Sequence, residues 1–413
     1  MNTTCRLSLL FSLLAAALSL DAQHAWTAET PEDTNAIKTL TVEQARRLVE
    51  SFRSARVNTE EPGCPLPSPQ RRSSDGLPLN GLQAIDAETA AALAQYRNGT
   101  SLMLDGLPTL SVDSARSLAR FSGDILSLRG LETLSPDTAL ALAGFRGVEL
   151  YLTGLTVLEP AAAASLARYE GWYLYVGLET IDADVVNSFV DYTGEVLILS
   201  GLTTLDPQTA RALAEFKGEN LVIGGLGTIE PAIAKVLAER THDLRLPGLT
   251  TLSVDTARAL SQHKGRLLDL PGLATLSDEA AEALAQRVGD LRLAGLTTLT
   301  NAKLAVKLAR SYPPLYLNRL TTLSAEAANA LAALEWSGYL PALTTLDSPD
   351  SVAIAKALAA HKGPLSLPNL KKISPKTLTA LIEKRDVQIP PIETLELIPE
   401  PDGSVTEDFV LPE

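Results

Sequence analysis

The sequence predicts an α/β solenoid, a single stack of strand–turn–helix units with parallel strands on one face and helices on the other. Three observations predict it. The phrase L-x-L-x-G-L-x-x-L occurs in thirteen copies at steps of 23 to 25 residues, with a last step of 27. A helical tail of the type S-x-x-x-A-x-x-L follows it. Leu and Ala carry most of the apolar load while aromatics are only 5%, which favours small packed layers over an aromatic-rich core. In such an array no unit buries its apolar face alone, but a stack does.

The phasing is set by the glycine of the phrase, taken as position zero. It is Gly81, Gly106, Gly130, Gly154, Gly177, Gly201, Gly225, Gly248, Gly272 and Gly295; Arg319, Ala342 and Asn369 fill the slot in the last three copies. The next residue is Leu in all thirteen copies, from Leu82 to Leu370, and four past zero is always Leu or Ile. Two columns held apolar through the whole array place them in a continuous core.

Each element then follows in order. Alternation such as Leu150-Tyr151-Leu152 or Leu291-Arg292-Leu293 reads as a short strand with one buried face. The glycine suits a sharp backbone turn. Five past zero stands Ser, Asp or Thr in eleven copies: Asp86, Ser111, Ser135, Asp182, Asp206, Ser253, Ser277, Thr300, Ser324, Asp347 and Ser374. Each is placed to accept from free N–H groups of a first helical turn. Pro136, Pro160, Pro207, Pro231 and Pro375 come directly after, where a missing N–H costs nothing. Acidic residues such as Glu88, Asp113, Asp255 and Glu279 match the positive end of the helix dipole. Ala90 with Leu93, Ala115 with Leu118, Ala210 with Leu213 and Ala281 with Leu284 mark the buried helix stripe. Gly123, Gly171, Gly218 and Gly265 are expected to end their helices in a left-handed cap. Parallel strands about 4.8 Å apart against helices about 8–10 Å apart should bend the stack gently, and thirteen strands would span roughly 60 Å.

The flanks differ. A single basic residue, Arg6, precedes an apolar run of 14 residues from Leu7 to Leu20, short for a membrane span and right for an export signal. Residues 1–25 are therefore expected to be a signal peptide, with cleavage after Ala22 or Ala25. Cys5 precedes the run, so it is not placed for lipidation, and the mature chain would keep one thiol, Cys64. Residues 26–76 read as an N-terminal capping copy, with Ile37, Leu40, Ala45 and Leu48 in the core columns, followed by a Pro/Ser-rich insertion. Residues 77–384 hold the solenoid, and 385–413 a cap strand with Val387, Ile389, Ile392 and Leu395 ahead of an acidic tail. Atypical end copies are expected where an open core must be closed.

Stretches such as LILSGLTTLDPQTARALAEFKG and LRLPGLTTLSVDTARALSQHKG resemble the leucine-rich-repeat family, in its compact bacterial form. The resemblance covers roughly residues 36 to 396 and implies an α/β leucine-rich-repeat solenoid, a horseshoe whose concave sheet usually recognises protein. One departure stands out: the family's Asn after the strand, which builds a ladder of side chain to backbone bonds, is replaced here by Leu.

Catalytic chemistry finds little support. A formal net charge of −14 argues against nucleic acid as a partner. Two cysteines cannot form a disulfide scaffold or a cysteine metal cluster. His24, His242, His263 and His361 show no ligand spacing, and His263 and His361 are expected to serve as cations at helix C-termini. No nucleophile elbow, phosphate loop or dinucleotide fingerprint occurs. Asn98-Gly99-Thr100 matches a glycosylation sequon by pattern alone. No cofactor is expected.

The informative positions are the outward strand residues, because the fold does not dictate them. Three before zero, the candidate ligand-binding residues are Tyr151, Leu174, Ile198, Val222, Arg245, Asp269, Arg292, Tyr316 and Tyr339. An apolar run there is unfavourable in water unless it is covered, and Tyr and Arg are enriched at binding hot spots. Copy five, WYLYVGL, is ambiguous in its facing. The expected function is a non-enzymatic exported binding solenoid, periplasmic or extracellular, that recognises a protein or alternatively a glycan. The competing expectation is a spacer of the cell envelope that self-assembles through its ends or convex helices.

Overall fold

The computed structural model describes residues 33–57, 76–97, 99–189, 191–311, 317–334, 336 and 338–400. The expected signal peptide, Cys5, Cys64, His24, most of the Pro/Ser-rich insertion, Asn98, Tyr316 and the acidic tail from 401 lie outside the described residues.

Strand, turn and helix alternate as the repeat requires. Ten strands, β1 (Gly76–Pro78) to β10 (Asp290–Arg292), form one parallel sheet in sequence order, each paired with the next. The helices, α1 (Val42–Val57) through α14 (Pro375–Ile382), each pack on their sequence neighbours. Strand residues alternate between core and surface, as in Leu150 and Leu152 of β4 (Glu149–Leu152). With Leu82 to Leu370 and the helix Ala/Leu stripe they make one continuous core, including the end-copy residues Ile37, Leu40, Ala45, Leu48 and Leu395. Each fully buried Leu is worth about 1.5–3 kcal/mol by transfer from water, and Ala on the stripe lets helices approach. Past β10 the original ladder continues only in pieces, as in Leu365–Ser366 with Val387–Gln388, and a second ladder appears beside it. Thr298–Leu299 pairs with Thr322–Leu323, and Thr345–Leu346, Lys372–Ile373 and Glu396–Leu397 form a three-stranded ladder, all in the turn segment just before the helix start.

The helix starts follow the sequence with two corrections. Nine of the eleven expected caps accept from a first-turn backbone N–H: Asp86, Ser111, Ser135, Asp182, Asp206, Ser253, Ser277, Ser324 and Ser374. At Thr300 the start slips one residue and Asn301 caps instead. In the copy with Asp347 an insertion moves the start to Ser351, behind Asp350, which makes no side-chain cap bond.

The helix-end glycines are not left-handed caps. Among the described residues, positive φ is found at Gly338. At Gly123 and Gly171 an added Cβ would instead strike the ring of Phe121 or Tyr169 and then a carbonyl of the preceding copy, and at Gly265 the carbonyl of His242. Close approach, rather than torsional freedom, selects glycine there. The missing Asn ladder also needs correction. It survives one residue before zero in the first copies, where Asn35 Oδ1 accepts from Asn80 N (3.2 Å) and Asn80 Oδ1 from Asp105 N (3.2 Å). Asp105 Oδ1 then accepts from Arg129 N (3.1 Å). Farther along, backbone carbonyls take over, as in Ser200 N to Val176 O (3.0 Å) and Gly224 N to Leu199 O (2.8 Å).

A column just past the helices changes character along the stack. Tyr96, Phe121, Phe145 and Tyr169 stack one per copy with ring centroids 6.2–6.4 Å apart. Tyr169 Oη donates to Gly147 O (2.9 Å) and Tyr192 Oη to Gly171 O (3.3 Å), each a loop carbonyl one copy back. Arg240 and Arg287 fill the same column farther on, fully or nearly buried. Arg240 donates to the carbonyls of Phe216, Gly218 and Asp243, and Arg287 to those of His263, Gly265 and Asp290. Burial pushes both guanidinium groups down to about 10. His263 lies between these two arginines and His361 between Trp336 and Lys384, both buried, with no hydrogen-bond partner on either ring nitrogen. Burial and then the Arg287 charge push His263 down to about 3, so it is neutral, not the cation expected at a helix end. His361 is lowered by the same two causes, burial and then Lys384.

Candidate functional site

The outer face of the ten-stranded sheet carries the candidate site. Register fixes its central row as Pro78, Met103, Ser127, Tyr151, Tyr175, Ile198, Val222, Arg245, Asp269 and Arg292. Leu174 is therefore corrected. It pairs with core residues Leu150 and Leu197 and is 0% exposed. Copy five has one residue fewer between its last core strand residue and its glycine, so counting back from Gly177 lands on the wrong face. Tyr175 holds the outward place, and Tyr173 stands beside it on the same face of β5 (Tyr173–Val176).

The tyrosines form one packed group. Tyr151 and Tyr175 stack at 3.9 Å between centroids with 12° between planes, and Tyr173 lies 6.3 Å from Tyr175. The other face of Tyr151 is covered by Arg129, its guanidinium carbon 4.5 Å from the ring centre. Tyr151 Oη donates to Glu149 Oε2 at 2.5 Å. Burial, and then that bond to a carboxylate, push the Tyr151 hydroxyl up; burial chiefly raises Tyr175. Both phenols thus stay neutral, and that of Tyr151 is engaged as a donor. Ile198 and Val222 extend the band across the next two strands, half-buried. On the other side of Tyr151 a groove of about 460 Å³ is lined by Met103, Asp105, Asp124, Ser127 and Glu149.

Arg245, Asp269 and Arg292 follow one another along the central row, but not as equals. Arg245 Nε lies 3.2 Å from Asp269 Oδ2. The arginine side chain is 53% exposed, whereas Asp269 is walled in at 5% with Oδ1 unpartnered. Burial raises the Asp269 carboxyl, opposed by Arg245 and then Arg292. Below them Arg266 bridges Asp243 (2.8 Å) and Asp290 (3.6 Å). The outermost groups here are guanidinium ends. Tyr339 is exposed and joins Ser366 by an isolated parallel bridge, apart from the ten-stranded sheet.

Counting from glycine overlooked Tyr173, Tyr175, Arg129, Glu149 and Trp172. Matching Leu150-Tyr151-Leu152 to Leu174-Tyr175-Val176 by alternation alone would have found the first two. Among the described residues no group of three His, Cys, Asp or Glu is placed to hold a metal ion, and no helix is long and apolar enough to cross a membrane.

No family model matches the chain, and no curated protein matches it. Among solved structures, a chain of the Toll–Spatzle complex of Drosophila is similar over 73% of this chain at 13% identity, with a TM-score of 0.41. The match takes in 44% of that chain, so this chain spans less than half of its length. A chain of the mouse RP105/MD-1 complex is similar over 75% of this chain and 77% of its own, at 14% identity and a TM-score of 0.29. The fold rests on the chain's own copies, its parallel ladder and its stacked helices: it is an α/β leucine-rich-repeat solenoid.

Proposed function

We propose that the protein is an exported, non-catalytic binding solenoid that recognises a protein along the outer face of its sheet. The observation that carries this reading is the Tyr151–Tyr175 stack, continued by Ile198 and Val222, on a face the fold leaves open. Tyrosines already locked against one another and against Arg129 lose little rotamer freedom when a partner covers them. The adjoining Arg245, Asp269 and Arg292 supply direction, because charged pairs fix register more than affinity. The apolar run at Leu7–Leu20 supports export.

The test is capture from the source organism's envelope and secreted fractions. The mature chain serves as bait beside a Tyr151→Ser/Tyr175→Ser/Ile198→Ser variant of equal helix content. A partner kept by the parent and lost by the variant is the expected result. Equal capture by both, or capture of further copies of the chain alone, would move the assignment to an envelope spacer.

A further inference from the structure

We propose that the segment seated on this face is basic, a protein element carrying Lys or Arg side chains, and that it docks where Trp172 and the tyrosines meet a rim of carboxylates. This rests on the strand-face reading above and adds the chemistry of the partner.

Trp172 begins the argument. It is one of three tryptophans in the chain, and 55% of it is exposed. It stands at the lip of the sheet, immediately before Tyr173. The lip positions stack one per copy through backbone bonds: Val148 N to Asp124 O, Tyr173 N to Val148 O, Val196 N to Trp172 O and Asn220 N to Glu195 O. Asp124, Val148, Trp172 and Glu195 are thus successive rungs of one column. Glu149 opens the next column inward, beside Tyr173. Along this column the exposed indole therefore has Glu195 as its neighbour on one side and Val148 on the other, with Asp124 one rung beyond Val148, and Glu149 opens the column that Tyr173 shares.

Charge decides which partner this suits. Aromatic faces attract cations more strongly where water is displaced, and carboxylates at the rim add the matching charge. The chain itself shows the pairing: Arg129 lies over Tyr151 and occupies one ring face. The net charge of −14 would draw a basic partner in and repel an acidic one. The guanidinium ends of Arg245 and Arg292 lie three and five strands beyond β5, roughly 14 and 24 Å away at parallel spacing, clear of this lip.

The experiment uses the full mature chain and defined probes. Labelled decapeptides alternating Leu with Lys, Leu with Glu and Leu with Ser are titrated by fluorescence anisotropy. The Lys peptide should bind, at least ten-fold tighter than the other two. Trp172→Ser, and separately Glu149→Gln/Glu195→Gln, should each weaken it at least five-fold. A charge-matched control on the helix side, Asp113→Asn/Asp255→Asn, should leave it within two-fold. Equal weakening by the control would show attraction to bulk charge and overturn the proposal. So would tighter binding of the Glu peptide, or Trp172-dependent binding of a neutral oligosaccharide with no Lys-peptide preference. If the captured partner depends on Tyr151 and Tyr175 but presents acidic groups to Arg245 and Arg292, the basic-partner proposal fails while the strand-face reading stands. If no partner depends on the face, both fail.

Discussion

Two stretches of one column, on the same backbone, solve the same problem with opposite chemistry. From Tyr96 to Phe216 the space behind each helix is filled by a ring; from Arg240 to Lys384 it is filled mainly by cationic or titratable groups. What they share is volume and, in several copies, a donor for loop carbonyls one copy back. Tyr169 and Tyr192 supply a hydroxyl, Arg240 and Arg287 a fork, and Lys384 an ammonium to His361 O at 2.7 Å. The repeat therefore specifies a shape, to which some copies add a donor, and not a residue type. The two solutions should respond differently to mutation and to acid.

The strongest way to break the comparison is at the boundary. Leu202→Asp puts a charge into the core of the last aromatic copy, next to the boundary, where Leu202 is fully buried. A loss of about 4–5 kcal/mol or more is expected, with the single melt in circular dichroism lost or split in two. An unchanged melt would mean the core facing is misassigned. Next is Arg240→Ala, which strands buried carbonyls and opens a cavity, at an expected cost of about 3–5 kcal/mol in urea unfolding. Arg240→Tyr should recover most of that loss, because tyrosine does this work at Tyr192. If the two variants were equally unstable, the shared requirement would be wrong.

Acid should separate the stretches. His263 is held neutral at about 3 when folded and titrates near 6.5 when unfolded. Between these values the unfolded chain binds the extra proton. Its contribution to stability is thus complete above about 6.5 and is lost as pH falls toward 3. Dropping from pH 7.5 to 4.5 should cost about 3 kcal/mol from this residue, and His263→Phe should remove that part of the slope. Hydrogen exchange should show the loss around α9 (Val254–Ser261) and its neighbours before the aromatic stretch. An identical slope in the variant would exclude His263 as the source. The smallest effects are at the caps. Ser111→Ala and Ser253→Ala should each cost about 1 kcal/mol, one in each stretch, while Thr300→Ala, which caps nothing, should be near neutral.

Most of the fold was legible because the repeat imposes the same local physics thirteen times. The Gly-Leu columns, the Ser and Asp caps and the Ala/Leu stripe each follow from one residue's immediate surroundings. The errors came where a neighbouring copy decides. Leu174 was turned outward by trusting glycine as a ruler across a one-residue deletion. Gly123 and Gly171 looked like torsional caps because the ring and the carbonyl that exclude their Cβ are brought there by the stacked column and the preceding copy. His263 looked like a helix-end cation because its apolar surroundings, and Arg240 and Arg287, come from residues one copy away. At the candidate site, the outward places of Tyr151, Ile198, Val222 and Arg245 followed from counting three back from the glycine. Trp172 did not, since it precedes the strand and its exposure depends on the lip of the stack.

The junction of the two stretches is itself a made part. Phe216 and Arg240 meet with the guanidinium carbon 5.6 Å from the ring centre, so the last ring of one series receives the first cation of the other. That contact acts as an adaptor between two otherwise incompatible kinds of module. An engineer could lengthen the array with further aromatic units ahead of Phe216, or basic ones after Arg240, without designing a new interface. Each aromatic insertion would move the charged end of the sheet's outer face one strand farther from the aromatic lip, turning the distance between them into an adjustable setting.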